Sequence, residues 1–296
     1  MPSEGEQQFR EASMYLRPRS LDEALDALAT TGAQILAGGT DVFPALGDRP
    51  QTRPFLDITA LPELRGIGLE PDHVRIGATT TWTEIARADL PSGFDALRAA
   101  AREVGSLQIQ NRGTIAGNLC NASPAADGVP PLLALEAEVE LTSRTGRRRL
   151  PLREFISGYR RTERREDEIV TAVFVPRAMT DARSAFLKLG ARRYLVISIV
   201  MVAAMLRTDE AGRIDAARVA VGSCSAVAQR LPALEAALVG RPAAPGIGSA
   251  VTAAHLAPLS PIDDVRATGA YRADAAQTLV ARALEACVHE RAKEAA

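Results

Sequence analysis

The stretch that most constrains this chain runs from Gln108 to Asp127, QIQNRGTIAGNLCNASPAAD. Its residues are small, polar or turn-forming, and it lies between segments that read as ordinary helix and strand. Gly113 and Gly117 flank the apolar pair Ile115 and Ala116; Asn118, Asn121, Ser123, Pro124 and Asp127 follow. Little in it can fill a core. Glycine lets backbone approach a ligand closely, and successive free N–H groups form an anion-binding nest. The same residue types also build plain structural loops. A second glycine stretch upstream bears on the choice.

That stretch is AQILAGGTDVFPAL, residues 33–46. Ala33 to Ala37 reads as a short apolar strand, and Gly38 and Gly39 break it. Thr40 or Asp41 is placed to cap a short helix that tolerates Pro44 in its first turn. A strand, a glycine pair and a helix N-terminus together make an arrangement that receives phosphate, because N–H groups point outward and the dipole favours an anion. This is not the GxGxxG fingerprint. The third glycine is missing, and no following βαβ unit with a terminal acid is evident.

At 296 residues the chain has room for one large or two ordinary domains. With 47% hydrophobic and 24% charged residues it has the balance of a soluble globular protein. A net charge of −1 argues against nucleic-acid binding driven by overall charge. Cysteines stand far apart at 120, 224 and 287, with no CxxC pair, so no disulfide framework or cysteine-ligated cluster is supported. Cys120 is expected to be a small buried residue rather than a redox centre, since no partner cysteine is near in sequence. His73, His255 and His289 lack zinc-ligand spacing. The longest apolar run, Leu195 to Leu206 with Ser198 inside it, is too short to span a bilayer and reads as a buried strand. No basic segment followed by an apolar one marks a secretory signal, and the expected location is cytoplasmic.

In chain order, Ser20 and Glu23 form a capping-box pattern opening a helix that Gly32 ends. Residues 53–59 read as a strand, and Ile67 to Ile76 as a hairpin turning at Pro71-Asp72. Thr81 and Glu84 open a second capped helix, and Ser92 is expected to cap a third that ends at Gly105. Beyond the opening stretch, a short helix (131–136), a strand (137–142), a turn at 144–147 and a strand (168–175) follow. Nine arginines lie between Arg144 and Arg165, forming either a solvated rim or a docking surface for an acidic partner. Residues 176–181 read as a domain boundary. Three strands (185–189, 195–206, 217–221) and three alanine-rich helices (about 229–239, 247–256 and 270–292) then suggest a small α+β domain.

Seven segments in order carry a resemblance: AGGTD (37–41), RIGATTT (75–81), NRGTIAGN (111–118), ASPAAD (122–127), FISGYRRT (155–162), DEIVTAVFVP (167–176) and FLKLGARR (186–193). Together they resemble the FAD-binding medium subunit of molybdenum hydroxylases, the xanthine dehydrogenase, carbon monoxide dehydrogenase and aldehyde oxidoreductase group. The resemblance covers nearly the whole chain. It implies an α+β fold: a PCMH-type, vanillyl-alcohol-oxidase-like FAD domain of two subdomains over residues 8–178. A C-terminal domain of a three-stranded antiparallel sheet and a three-helix bundle would follow over 182–292.

The resemblance also assigns residues. Ile35 and Leu36 lead into the pyrophosphate loop Ala37-Gly38-Gly39-Thr40-Asp41. The second loop, TIGGN in many members, is here Thr114-Ile115-Ala116-Gly117-Asn118, with alanine replacing a glycine at Ala116. Asp127 matches an acid that contacts the flavin's polar side chain, and Ile169 matches a residue packing on the adenine or ring region. Lys188 matches a lysine near the isoalloxazine, where its charge would favour the reduced, anionic flavin. Residues 194–198 are apolar where many relatives carry acids. Three dispersed cysteines disfavour the branch that inserts a 4Fe-4S loop.

The implied function is electron transfer from 2Fe-2S clusters of a small partner chain, through FAD, to an acceptor such as NAD. A large partner would carry molybdopterin, the whole being a dimer of heterotrimers. No catalytic acid–base dyad, nucleophile, metal site or membrane span is expected in this chain. The alternatives are a stand-alone flavin oxidase and a flavin-free assembly subunit.

Overall fold

The computed structural model describes residues 15–48 and 51–289. The polar segment 1–13 and the end of the expected C-terminal helix, from 290 on, lie outside the described residues.

The first layer is a small parallel sheet. Strands β1 (Tyr15–Leu16), β2 (Gln34–Leu36) and β3 (Phe55–Asp57) lie in the order β1-β3-β2, all parallel. Helix α1 (Leu21–Thr31) covers it. Ala24, Leu25 and Leu28 recur at helical spacing and pack with Leu56, Ile58, Leu61 and Leu64. Gly32 closes α1 in the left-handed conformation, φ 59°. Between β2 and β3 sits α2 (Val42–Leu46). No βαβ unit with a terminal acid is evident from the sequence after the glycine pair. The structure does have one, β2-α2-β3, ending on the buried acid Asp57. It was hidden because β2 and β3 have three residues each and α2 five, too short to display a period.

The second layer is a five-stranded antiparallel sheet. It is built from β4 (Ile67–Leu69), β5 (His73–Gly77), β6 (Glu138–Ser143), β7 (Gly146–Pro151) and β10 (Ile169–Pro176), in the order β4-β5-β10-β6-β7. Helices α3 (Trp82–Arg87), α4 (Asp95–Glu103), α5 (Leu107–Gln110), α6 (Ile115–Asn121) and α7 (Val129–Ala134) fill the loop between β5 and β6. Helix α8 (Leu152–Phe155) and a two-stranded hairpin, β8 (Ile156–Gly158) and β9 (Arg161–Thr162), precede β10. The capping box of α3 is complete. Ser92 does not cap α4; it starts a 3-10 turn and its hydroxyl donates to the Asp181 carbonyl instead. The opening stretch is also more ordered than a loop. Ser106 caps α5, Thr114 caps α6, and Ile115, Ala116, Leu119, Ala122 and Ala126 are all buried in the main core with Trp82 and Phe94.

The third layer is antiparallel: β11 (Arg183–Leu189), β12 (Val200–Thr208), β13 (Ile214–Gly222) and the two-residue β14 (Gln229–Arg230), in that order. The three expected strands are present, and β14 adds a fourth. Strand β12 explains the long apolar run. Val200, Val202, Ala204 and Leu206 face the core under the C-terminal helices, while Met201, Ala203 and Met205 join the core beneath α4 and α7. Both faces are buried, so alternation disappears from the sequence. After β14 come α9 (Pro232–Leu238) and α10 (Gly269–Val288). The expected middle helix is two 3-10 turns, Ile247–Ala250 and Ala253–Leu256.

Candidate functional site

A cleft of about 1630 Å³ opens where the three layers meet. Pockets for drug-sized ligands run to ~300–1,000 Å³, so this one has room for a longer, extended molecule. Among the residues singled out in the sequence, Ile35, Ala37, Gly38, Gly39, Thr40, Asp41, Thr114, Ala116, Gly117, Asn118, Asp127, Ile169 and Lys188 line it. Leu36 and Ile115 do not, since their side chains are buried behind the wall. Segments as far apart in sequence as 37–41 and 188 therefore share one cavity.

The two glycine turns are pressed together. A Cβ at Gly38 would collide with the Arg112 carbonyl, and one at Gly113 would lie 3.0 Å from the Ile109 carbonyl oxygen. Gly39 has φ +72°, and a Cβ there would meet the Phe43 ring at 2.6 Å. Only glycine fits at Gly38 and Gly39 without a shift, and at Gly113 a side chain would be tight. The turns differ in what they offer an anion. In the second turn the N–H groups are taken: Ile115 donates to the Thr80 carbonyl (3.0 Å), Ala116 to the Ala78 carbonyl (3.2 Å), and Asn118 to the Thr114 carbonyl (3.1 Å). Gly117 N–H donates to the Thr114 hydroxyl at 3.1 Å. The expected nest of free N–H groups is therefore not in the opening stretch. It lies at Gly38, Gly39, Thr40 and Asp41, whose N–H groups make no hydrogen bond among the described residues. Asp41 stands at the N-cap of α2 without a side-chain capping bond, and α2 has only five residues, so these amides rather than a helix dipole carry the attraction. Asn118 contributes a buried Oδ1 without a partner, a polar atom awaiting a donor.

The same cleft is lined by a buried ion pair. Lys188 Nζ lies 2.6 Å from Asp127 Oδ2, with side chains only 6% and 8% exposed. Ser198 donates to Asp127 Oδ1 at 2.8 Å, and Lys188 also reaches the Glu103 carbonyl at 3.4 Å. Burial pushes the Asp127 carboxyl above the usual range, and Lys188 and Ser198 offset only part of that. Lys188 is therefore neither a surface cation nor a free charge facing the cleft: its charge is compensated.

Several residues in or behind the cleft wall carried no sequence signal. Ser198 sits inside an apolar run and became a partner of Asp127 only through the fold. Cys120 was expected to be buried. It is instead exposed on the cleft wall, hemmed in closely enough that burial pushes its thiol up to about 11. Of the nine arginines, Arg160, Arg161 and Arg164 reach the cleft edge, whereas Arg148 pairs with buried Glu168 at 2.6 Å and Arg144 with Asp26. The segment 194–197 forms an apolar lip, with Tyr194, Leu195 and Ile197 exposed and Leu195 at φ 52°. Arg192 Nε fastens it by donating to the Tyr194 carbonyl at 2.9 Å. Among the described residues no cluster of histidine, cysteine and carboxylate side chains is suited to a metal, and no helix is long and apolar enough to cross a membrane.

The cleft's length, its free amides, its glycine cradle and the unpartnered Asn118 oxygen fit the flavin dinucleotide that the resemblance implies. Comparison with known proteins agrees. Residues 7–178 match the family model for the FAD binding domain in molybdopterin dehydrogenase, and residues 185–287 match that for the CO dehydrogenase flavoprotein C-terminal domain. The nicotinate dehydrogenase FAD-subunit of Eubacterium barkeri is 38% identical over 206 residues, covering 67% of this chain and 70% of the relative. The xanthine dehydrogenase FAD-binding subunit of Escherichia coli O157:H7 is 32% identical over 279 residues, covering 93% and 95%. The solved carbon monoxide dehydrogenase from Hydrogenophaga pseudoflava superposes with a TM-score of 0.84 at 30% identity, covering 93% of this chain and 96% of that one. The chain belongs to the FAD-binding medium-subunit family of the molybdenum hydroxylases, and is a flavoprotein subunit of an oxidoreductase of the xanthine, carbon monoxide and nicotinate dehydrogenase kind.

Proposed function

We propose that this chain passes electrons from the 2Fe-2S clusters of a small partner chain, through FAD, to an external acceptor such as NAD. A large molybdopterin-bearing partner would oxidise the substrate. The assembly would be a cytoplasmic dimer of heterotrimers, with residues 8–178 and 182–292 as the chain's two functional segments. The observation that carries this reading is one cleft lined both by the free amides at 38–41 and by the Asp127–Lys188 pair.

Within that cleft the chain's own groups divide the work. The amides of Gly38 to Asp41 receive the diphosphate, because backbone donors held by a glycine turn reach an anion without a side chain intervening. Gly117 and the Ala116 face supply close packing, and Asn118 Oδ1 accepts from a ligand donor. Ile169 is the apolar floor. Asp127, held by Lys188 and Ser198, accepts from ligand hydroxyls. Bound FAD would supply two-electron storage, with one-electron exchange toward the clusters and two-electron hydride transfer toward an acceptor such as NAD. No acid, base or nucleophile of the chain is required for that transfer.

The test is an absorption spectrum of the purified chain, before and after acid release of bound cofactor. Bands near ~370 and ~450 nm, with release of free FAD, are the expected result. A colourless chain that takes up no added FAD overturns it. Gly39→Trp should abolish uptake; normal FAD content in that variant would refute the loop assignment. Co-purification with molybdenum and iron–sulfur chains separates this reading from a stand-alone oxidase.

A further inference from the structure

Besides Lys188 of β11, the C-terminal layer holds the segment that carries Asp127 at two further points. Ser198, just before β12, donates its hydroxyl to Asp127 Oδ1 at 2.8 Å. Ser223, just after β13, donates its N–H to the Pro124 carbonyl at 3.0 Å. Because β12 and β13 are antiparallel neighbours, with Met201 opposite Gly222, these two contacts lie side by side. One side chain grips both. Arg272 of α10 is 3% exposed, and its Nη1 donates to the Ile199 carbonyl at 2.6 Å and the Ser223 carbonyl at 3.1 Å. Its Nη2 is anchored by Asp264 Oδ1 at 2.7 Å.

This knot is not what stability alone would select. Ser223 is held at φ 64°, a conformation that disfavours side chains. Ser223 Oγ and Arg272 Nε are both buried with no partner. Strained backbone and unmatched buried polar groups persist where the surroundings fix a geometry at a functional site. The same sheet face could have been tied down by apolar packing, as the rest of β12 is.

We propose that Ser198 and Arg272 are positioning residues for the cleft. Arg272, by gripping the Ile199 and Ser223 carbonyls, sets Ser198 on Asp127 and Ser223 on Pro124, and so holds the Asp127 carboxylate where it can meet both Lys188 and a ligand. The C-terminal helix α10 thereby completes a site whose amides come from the N-terminal layer. The role in flavin binding rests on the function proposed above; the hold on segment 122–128 does not.

The test uses the full chain, flavin-free and then titrated with FAD, in Ser198→Ala, Ser198→Thr, Arg272→Lys and Ser198→Ala/Arg272→Lys. Lysine keeps the charge but cannot donate to both carbonyls and Asp264 at once. Ser198→Ala should raise amide exchange over residues 122–128 and weaken FAD binding about tenfold, and Ser198→Thr should restore both, because only the hydroxyl is needed. Arg272→Lys should produce the same two changes, and the double variant should lose no more FAD affinity than Arg272→Lys alone. Should Arg272→Lys fail to fold, Asp264→Asn loosens the same guanidinium more gently and should move both readouts in the same direction. The proposal is overturned if exchange at 122–128 stays at the starting value in Ser198→Ala and Arg272→Lys, or if the two losses of affinity simply add. An unmodified chain that binds no FAD defeats the reading of the cleft, and the exchange comparison then decides this proposal by itself.

Discussion

Replacing Lys188 with methionine isolates the buried ion pair. Methionine keeps most of the apolar stem, so the packing of Lys188 is largely preserved and the charge is what goes. What stays behind is Asp127, 8% exposed at its side chain, with Ser198 as its remaining side-chain partner at 2.8 Å. Removing one partner of a buried pair costs about 3–5 kcal/mol, because the other charge is left without compensation. Against a total stability of ~5–15 kcal/mol this is a large share. Removing both charges, as in Lys188→Met/Asp127→Asn, leaves nothing to hydrate and should return stability to within about 1–2 kcal/mol of the starting protein. The pH dependence follows from the same carboxyl. Burial already raises Asp127, and loss of Lys188 raises it further. A carboxyl whose folded pKa lies above its unfolded value holds extra protons in the folded state. It therefore favours folding at low pH, and loses that benefit as pH rises from the unfolded value to the folded one. The deficit of Lys188→Met should thus be greatest near pH ~7 and shrink toward pH ~4. The assay is urea unfolding of the flavin-free chain at both pH values. An equal deficit at the two, or a double variant as unstable as the single, would refute the reasoning.

Other expectations follow from the same geometry. Gly38→Ala drives a methyl into the Arg112 carbonyl and should weaken FAD binding by at least about tenfold in a fluorescence titration, whereas unchanged affinity would show that the two turns are free to separate. Glu168 accepts from Arg148 at 2.6 Å and from the Arg165 N–H at 2.7 Å, so Glu168→Gln should cost about 1–3 kcal/mol near neutral pH. Burial raises its carboxyl, but the Arg148 and Arg165 contacts outweigh that and hold it below the usual range. Its contribution is present above the unfolded pKa and lost as pH falls through the folded one, so unfolding curves of Glu168→Gln and the starting protein should converge in acid. Cys120, with its thiol pushed up to about 11, should alkylate slowly near pH ~8 and faster as pH rises, and bound FAD should slow it further. Rapid labelling at neutral pH would mean that the cleft wall does not enclose it.

Much of the architecture was written locally. The capped starts of α1 and α3, the Gly32 stop, the β4–β5 hairpin and the β11–β13 strands each follow from a short-range signal, and the structure contains them. The glycines Gly38 and Gly39 in one turn and Gly113 and Gly117 in the other were legible as turn formers, but their spacing alone left structural loop and ligand cradle open. Other features were not local. The parallel β1-β3-β2 sheet consists of strands too short to show a period, and its strands find one another only through long-range pairing. The opening stretch looked unable to fill a core, yet Ile115, Leu119 and Ala122 are buried because α3, α4 and α7 close over them. Which turn keeps its amides free was decided by Thr80, Ala78 and Thr114, which accept from the second turn and leave the first open. Lys188 could be picked out by sequence, but not its neutralisation by Asp127. Ser198 and Arg272 carried no motif at all. A hydroxyl in an apolar strand approach and an arginine in an alanine-rich helix acquire a role only when folding brings β12, β13 and α10 against residues 124 and 127. Local chemistry determined the turns and the caps; the partners of each buried charge depended on distances that exist only in the assembled fold.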